Sequence, residues 1–251
     1  MSSEKSDAIV VRVVEFSETS CIVTLFTRDF GKISALAKGA RRPKSPFESA
    51  IDLLAVCRIV FLRKSSEGLD LLTEAKLERR FRSATRELPR LYAGFYVAEL
   101  LRDLTDTHDP HPDLFQAADN TLAALDNGNE IASSVLRFEM RLLRGLGQEP
   151  SLHVCVGCGN EIEAAGRVLF GLTSGGVLCR ACRAGRRQVV SVHADVIKLL
   201  RRFAQADDDS RVPKIEDRRL FGELRGVVNQ YFTHLLGHRP KMHQYSKMWA
   251  G

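Results

Sequence analysis

The sequence predicts an α+β protein of several domains: an N-terminal five-stranded OB-fold barrel, then an α-helical domain with an inserted four-cysteine zinc finger. Three observations predict it. Short segments rich in β-branched residues fill the first third of the chain, apolar residues then recur at helical spacing, and two Cys-x-x-Cys pairs follow. The predicted parts are the barrel at 1–82, helices at 83–150, the zinc finger at 151–190, and C-terminal helices at 191–251 that pack with the helical domain.

Five short segments with high β-propensity lie before residue 82 and are separated by turn-like sequences. They are Ala8–Val14, Cys21–Thr27, Gly31–Ala37, Leu53–Leu62 and Leu69–Glu78. Five strands with short turns and one longer connection fit a small closed barrel better than a two-sheet sandwich. The OB-fold is the five-stranded member of that group.

Five later segments place their apolar residues on one side of a helix. They are Leu91–Leu104, Asp113–Leu125, Ala132–Leu146, Ala194–Gln205 and Arg218–Leu236. We interpret their leucine and aromatic stripes as core. The tail from Gly237 to Gly251 is basic and has little periodicity.

The charge is unevenly distributed along the 251 residues. The formal net charge is +6, but the four predicted parts carry +4, −5, +3 and +4 in chain order. Two basic regions on either side of an acidic one suit a polyanionic partner without requiring one. A hydrophobic content of 44% excludes a collagen, a coiled-coil rod and a wholly disordered chain.

Four cysteines follow the pattern C-x2-C-x20-C-x2-C, which is typical of a four-thiolate zinc site. They are Cys155, Cys158, Cys179 and Cys182. Gly157 and Gly159 permit the sharp turn that brings two such cysteines to one ion, since glycine accepts positive φ. A closed site of this kind is structural, because no coordination position stays open. The pattern therefore predicts one structural Zn2+.

The alternatives to that zinc site are two redox-active pairs or two chance Cys-x-x-Cys matches. Redox-active pairs would need a strand–helix context that is absent. His153, two residues from Cys155, would be an unnecessary fifth ligand. Cys21 and Cys57 stand alone in predicted strands and are interpreted as buried small apolar residues.

Enzyme signatures are absent from the sequence. It holds no phosphate-binding G-x-x-x-x-G-K-[ST] loop, no H-E-x-x-H and no G-x-S-x-G elbow. The seven histidines are scattered, and we assign them surface or capping roles. The prediction is a noncatalytic binding protein with no catalytic residue. Neither a secretory signal nor an apolar run of about 20 residues is present, which predicts a cytoplasmic protein without a membrane partner.

The connection after the third predicted strand is strongly basic. An exposed basic loop on a small barrel is suited to follow phosphates while barrel aromatics stack on bases. The predicted phosphate contacts are Lys38, Arg41, Arg42 and Lys44, with Lys32 and Arg12 as weaker candidates. The candidates for stacking are Phe16, Phe26, Phe30, Phe47 and Phe61.

Three motifs together resemble the bacterial RecO family of DNA repair proteins. The first is Thr27…Gly31…Ala37-Lys38-Gly39-Ala40-Arg41-Arg42…Lys44-Ser45. The second is Cys155-x-x-Cys158-Gly159, Phe170-Gly171…Ser174-Gly175-Gly176 and Cys179-x-x-Cys182. The third is Tyr231…Leu236-Gly237-His238-Arg239-Pro240-Lys241. Their order and spacing cover essentially the whole chain. The last motif continues with Met242 where Ser is commoner.

The resemblance implies a recombination mediator in the RecFOR pathway. Such a protein is expected to bind single- and double-stranded DNA, to anneal complementary strands and, with RecR, to help load RecA onto DNA coated by single-strand-binding protein. The implied partners are DNA, RecR and the acidic, hydrophobic C-terminal tail of single-strand-binding protein, with RecF and RecA involved indirectly. The implied location is the cytoplasm, in association with the nucleoid. The alternative is an OB-fold and zinc-ribbon factor that binds RNA or a polymerase.

Overall fold

The structure is a computed structural model that describes residues 2–43, 45–47, 50–64, 68–83, 87–206 and 214–249. It divides into two compact units, Met1–Asn129 and Glu130–Gly251. The finer division predicted from the sequence, with boundaries after residues 82, 150 and 190, stays a prediction. Within the described residues, no helix is both long enough and apolar enough to cross a membrane.

The first unit begins with a closed five-stranded barrel, as predicted. Its strands are β1 (Ser2–Glu15), β2 (Cys21–Thr27), β3 (Gly31–Ala37), β4 (Val56–Arg63) and β5 (Asp70–Arg79). They follow one another around the barrel in the order β1-β2-β3-β5-β4. Antiparallel pairing of β1 with β4 closes it, and the short β3–β5 pairing is the parallel one. This order is consistent with the predicted OB-fold.

Strand β1 is longer than its apolar pattern predicts, because it serves two partners. Its first half pairs with β4 from Ser2↔Arg63 to Ile9↔Val56, and its second half pairs with β2 down to Glu15↔Cys21. The polar start of β1 was missed, since backbone pairing rather than burial holds it in the sheet.

The predicted start of β4 at Leu53 is wrong. Leu54 adopts a positive φ of 68°, and the strand begins only at Val56. The turn is nevertheless tied to β1. Leu54 N–H donates to the Val10 carbonyl at 2.8 Å, and Val10 N–H donates to Ala55 at 3.0 Å. These residues are apolar because they are buried, and that apolar character predicted a strand although the backbone turns here.

The barrel core is built from inward-facing residues of all five strands. In β3 every second side chain is buried, which is the two-residue period of a half-buried strand. Cys21 and Cys57 lie in this core, as predicted. Burial raises the pKa of the Cys57 thiol to about 12, so this residue behaves as a small apolar side chain.

Two helices complete the first unit: α1 (Leu88–Leu104) and α2 (Pro112–Asp126). Helix α1 packs on β1 and β2, α2 packs on β2, and the two helices pack on each other. Phe26 of β2 stacks on Phe115 of α2 with ring centroids 6.5 Å apart, and the Arg28 guanidinium lies 5.1 Å from the Phe115 ring. The apolar stripe of α2 is therefore core, as expected. In α1, Tyr96, Leu100 and Leu101 are buried, whereas Leu91, Phe95 and Leu104 are half-buried.

In its described residues, the second unit has three α-helices and a small sheet. The helices are α3 (Ile131–Gly145), α4 (Ala194–Gln205) and α5 (Arg218–Leu236). The antiparallel sheet consists of β6 (Arg167–Gly171), β7 (Gly176–Leu178) and β8 (Val189–His193), in the order β7-β6-β8. The tail, for which no periodicity was visible, forms a 3₁₀ helix over Lys241–Trp249 that packs on α5.

Side-chain caps explain why these helices begin where they do. Glu130 accepts from two backbone N–H groups at the start of α3, and Asp217 does the same at the start of α5. His193 accepts from Asp195 N–H at the start of α4. Such caps satisfy donors that the first helical turn leaves unpaired. A capping role for histidine is thus observed, but His243 is buried rather than on the surface.

Candidate metal centre and nucleic-acid interface

The four cysteines of the paired motifs meet at one point of the second unit. One sulfur atom from each lies within 4.8 Å of the other three, and the cluster comprises Cys155, Cys158, Cys179 and Cys182. The Cys158 and Cys179 sulfur atoms are 3.9 Å apart. Four thiolates about 2.3 Å from a central ion would be about 3.8 Å apart in a tetrahedron. The cluster therefore fits a metal ion, and His153 is not part of it.

The 20-residue spacer between the two pairs folds as the β6–β7 hairpin, which positions the second pair. Cys179 follows β7 directly, and a 3₁₀ turn over Ala181–Arg183 carries Cys182. The first pair is fastened to the same hairpin by the Val156 N–H, which donates to the Val177 carbonyl at 3.0 Å. The long spacing in the sequence is therefore one hairpin plus its connections.

The two glycines of the first pair act for different reasons. Gly159 has a φ of +75°, as the sharp turn predicts. Gly157 has no positive φ, so the conformational reason given for it is wrong. A Cβ atom there would lie 2.8 Å from Cys182 Cβ and 2.9 Å from its sulfur. Gly157 is needed because the two pairs approach too closely for a side chain.

Backbone N–H groups point at the cluster and favour thiolate. Cys179 N–H and Gly157 N–H donate to the Cys155 sulfur at 3.3 and 3.4 Å. Burial opposes ionisation of Cys155, but these donors outweigh it and lower its pKa to about 6. Hydrogen bonds with Cys179 and Cys158 raise the pKa of Cys182 to about 12.

The predicted DNA-contacting residues of the first unit are placed mainly at one exposed turn. Lys38 directly follows β3, and Arg41 and Arg42 lie three and four residues further on; all three are exposed. Arg42 N–H donates to the Gly39 carbonyl at 3.0 Å, and Gly39 has a φ of +70°. We call Lys38–Arg42 the basic turn. Lys44 lies outside the described residues.

The basic turn is tied to the neighbouring β1–β2 hairpin. Arg41 N–H donates to the Thr19 carbonyl at 3.0 Å, and Gly39 N–H donates to Ser20 Oγ at 3.2 Å. The Arg41 guanidinium also forms an ion pair of 2.8 Å with Glu15 at the end of β1. Backbone contacts thus hold the turn in place, and its cations lie at the end of the barrel where β3 ends.

The two weaker candidates differ from the basic turn and from each other. Arg12 is exposed on β1, beside a bulge, opposite Thr24. Lys32 is half-buried, and its ammonium donates to the Arg102 carbonyl at 2.5 Å and to the Thr105 carbonyl. Burial lowers the pKa of Lys32. Its hydrogen bonds hold the end of α1, so its predicted phosphate contact stays a prediction that these bonds do not support.

A groove on α5 was not predicted from the sequence. It has a volume of about 570 Å³, and its walls include Phe221, Arg239 and Lys247. Gly222 and Gly226 lie one helical turn apart along it, and a Cβ atom at either position would meet nothing within 4 Å. Two glycines four residues apart in an amphipathic helix were the available signal.

The fold and the cysteine cluster define a class of protein: a multidomain chain with an OB-fold barrel and, in a separate unit, a four-cysteine metal finger among helices. Residues 1–81 match the family model described as Recombination protein O N terminal, and residues 86–244 match Recombination protein O C terminal. The chain belongs to the RecO family, and the resemblance carried by the three motifs is confirmed.

Curated relatives agree with the family models. "DNA repair protein RecO" of Rhodopirellula baltica is 41% identical over 95% of this chain and 97% of its own length. The proteins of that name from Myxococcus xanthus and Halalkalibacterium halodurans are 32% and 29% identical, each over 96% of this chain. Membership places the chain among proteins of DNA repair and recombination.

Proposed function

We propose that this protein is a recombination mediator that binds single- and double-stranded DNA and anneals complementary strands. With RecR it helps load RecA onto DNA coated by single-strand-binding protein, and RecF takes part indirectly. It acts in the cytoplasm at the nucleoid and carries no catalytic residue. The observation that carries the proposal is the basic turn, whose exposed Lys38, Arg41 and Arg42 lie at one end of an OB-fold barrel.

The mechanism follows from charge. Cations on the basic turn and Lys44, with weaker contributions from Arg12 and Lys32, neutralise phosphates without reading the bases, so both single strands and duplexes bind. Two DNA strands brought to the basic turn repel each other less. That reduction of repulsion is sufficient to favour annealing, and no nucleotide needs to be hydrolysed.

The test replaces Lys38, Arg41 and Arg42 by alanine together. Removal of three phosphate contacts is expected to weaken single-strand binding and to reduce the salt slope of log K by about 2. A control triple variant with the same charge change replaces Lys5, Arg63 and Lys76, which are exposed on other parts of the barrel strands. Unmoved DNA affinity in the first variant contradicts the assignment. Annealing of strands coated with single-strand-binding protein, with and without RecR, separates this function from an RNA- or polymerase-binding factor.

The groove on α5 supports a docking site for the tail of single-strand-binding protein. That tail is acidic and hydrophobic, and the groove combines Phe221 with the cations Arg239 and Lys247. The other basic segment of this unit, Arg180–Arg187, is exposed on the cysteine finger. We therefore assign the tail to the groove and leave the finger to DNA.

Binding of a fluorescent tail peptide distinguishes the groove on α5 from the basic segment of the finger. Gly226→Leu fills the open space of the groove, and Arg239→Glu reverses one of its charges. Both variants are expected to bind the tail peptide more weakly. Arg183→Glu on the finger is the matched charge reversal and should leave the affinity for the tail peptide unchanged. If only the finger variant loses the peptide, the assignment is reversed.

The cysteine cluster is proposed to hold one structural Zn2+. Thiolate ligands in a set of four select zinc or iron–sulfur chemistry over hard cations, and a lone tetrahedral site fits zinc. The ion would fasten the two pairs to each other and add folding energy to the finger.

A further inference from the structure

The tip of the β1–β2 hairpin presents an aromatic ring to solvent. Of the stacking candidates named from the sequence, Phe26, Phe47 and Phe61 are buried and Phe30 is half-buried. Phe16 is 61% exposed. In the part of the chain that the structure describes, no other Phe, Tyr or Trp is exposed.

The ring stands on a well-held backbone. Phe16 N–H donates to the Ser20 carbonyl at 3.0 Å, and Ser17 N–H donates to the same carbonyl at 3.1 Å. Ser17 Oγ accepts in return from Ser20 N–H. The preceding residues Val13 and Val14 lie on opposite faces of β1, and both are exposed. The tip therefore projects from the barrel as a short, hydrogen-bonded arm.

The arm stands beside the basic turn. Glu15 pairs with Cys21, and Cys21 pairs with Ala37, so the ends of β1 and β3 are two strand spacings, about 10 Å, apart. The Glu15–Arg41 ion pair and the backbone bonds from the turn to Thr19 and Ser20 join the two segments. A DNA strand whose phosphates follow the basic turn would therefore pass the Phe16 ring.

We propose that Phe16 is a stacking platform for an unpaired base of single-stranded DNA, and that it makes the barrel prefer single strands to duplexes. This proposal rests on the DNA binding proposed above. The bases of a duplex are already stacked and paired, so the ring gains nothing from them. An unpaired base has a free face, and its stacking on an aromatic side chain is tolerant of sequence.

The test compares the full-length protein with Phe16→Ala, Phe16→Leu and Phe16→Trp. Binding is measured by anisotropy to a labelled oligothymidylate and to a duplex of the same length, in the same salt. Phe16→Ala is expected to lower the affinity for the single strand by about 5- to 150-fold. The affinity for the duplex and the salt dependence of binding to both should stay unchanged. Leu88→Ala removes another exposed apolar side chain of the same unit and is the control.

Phe16→Leu keeps the apolar character but removes the π-face, so it should resemble Phe16→Ala, whereas Phe16→Trp should restore binding. Phe16→Ala that leaves the ratio of single-strand to duplex affinity unchanged overturns the proposal. Full binding of the single strand by Phe16→Leu also overturns it, because an apolar contact with the DNA that needs no aromatic ring would then explain the affinity. Failure of the DNA-binding function itself looks different, because the unaltered protein would then bind neither substrate.

Discussion

Arg225 of α5 donates two hydrogen bonds, of 2.6 and 2.9 Å, to the carboxylate of Glu139 on α3. Both side chains are buried, and the Arg225 guanidinium also lies 5.2 Å from the Trp249 ring. One ion pair thus links two helices and the C-terminal 3₁₀ helix of the second unit. Burying two charges is costly, but removing one partner is costlier because the other charge stays buried and unpaired.

Arg225→Met is therefore expected to lower the free energy of unfolding of the second unit by about 3–5 kcal/mol. The double variant with Glu139→Leu should recover much of that loss, because it leaves no lone charge. Urea unfolding followed by far-UV circular dichroism and by fluorescence of Trp249, the chain's one tryptophan, measures both. Lys198→Met breaks an exposed pair with Asp195 and should change the stability little, because solvent screens such a pair.

A second prediction concerns Gly31, at the start of β3. A Cβ atom there would overlap the carbonyl group of Asp109, and the φ of Gly31 is +65°. Gly31→Ala meets both a steric and a conformational barrier, so it should destabilise the first unit by more than the roughly 1–2 kcal/mol that a left-handed residue costs. The matched control is Gly128→Ala, with a φ of +84° and nothing within 4 Å. Equal thermal shifts for both variants would refute the steric contribution.

A third prediction follows from the thiolate cluster. Purified protein should contain about one zinc per chain by elemental analysis. Cys158→Ser should lose most of it, since three thiolates and a hydroxyl bind zinc less tightly. Cys21→Ser, outside the cluster, should keep it. Chelation should unfold the finger and remove only its share of oligothymidylate binding, because the basic turn lies in the other unit. Absence of zinc from freshly purified protein would contradict the proposed metal.

A fourth prediction is a pH dependence that originates at His243. Burial, followed by repulsion from Arg225 and Arg239, lowers its pKa to about 3. The ordinary pKa of histidine is about 6.5, so the unfolded chain binds the proton more tightly. This contribution to stability is present above pH 6.5 and is lost as the pH falls toward 3. At pH 5 the loss is about 2 kcal/mol.

Urea unfolding of the second unit at pH 7.5 and pH 5.0 measures that loss. His243→Gln should flatten the pH dependence, because glutamine does not titrate. The equivalent change at His238, which is exposed, should leave it steep. A dependence that His243→Gln does not alter would assign the effect to other groups.

Much of the local structure was predictable because it rests on short-range chemistry. The period of the apolar residues defines the strands β2 and β3 and the helices α4 and α5 at their observed bounds. The spacing of the paired cysteines predicts the cluster, since a thiolate set needs little more than two turns facing each other. The charge of the basic turn is likewise local, as is the three-motif resemblance to the RecO family.

Other features were decided only when distant segments met. The polar start of β1 becomes a strand because β4 pairs with it, and Lys32 is drawn to the end of α1 because unpaired carbonyls lie there. Gly157 is required by the approach of Cys182, 25 residues later. Five phenylalanines looked alike in the sequence, and only packing left Phe16 outside. The sequence by itself determined which residues are candidates for contact with DNA and with a metal. The tertiary structure decided which remain available, because burial and hydrogen bonding occupy the rest.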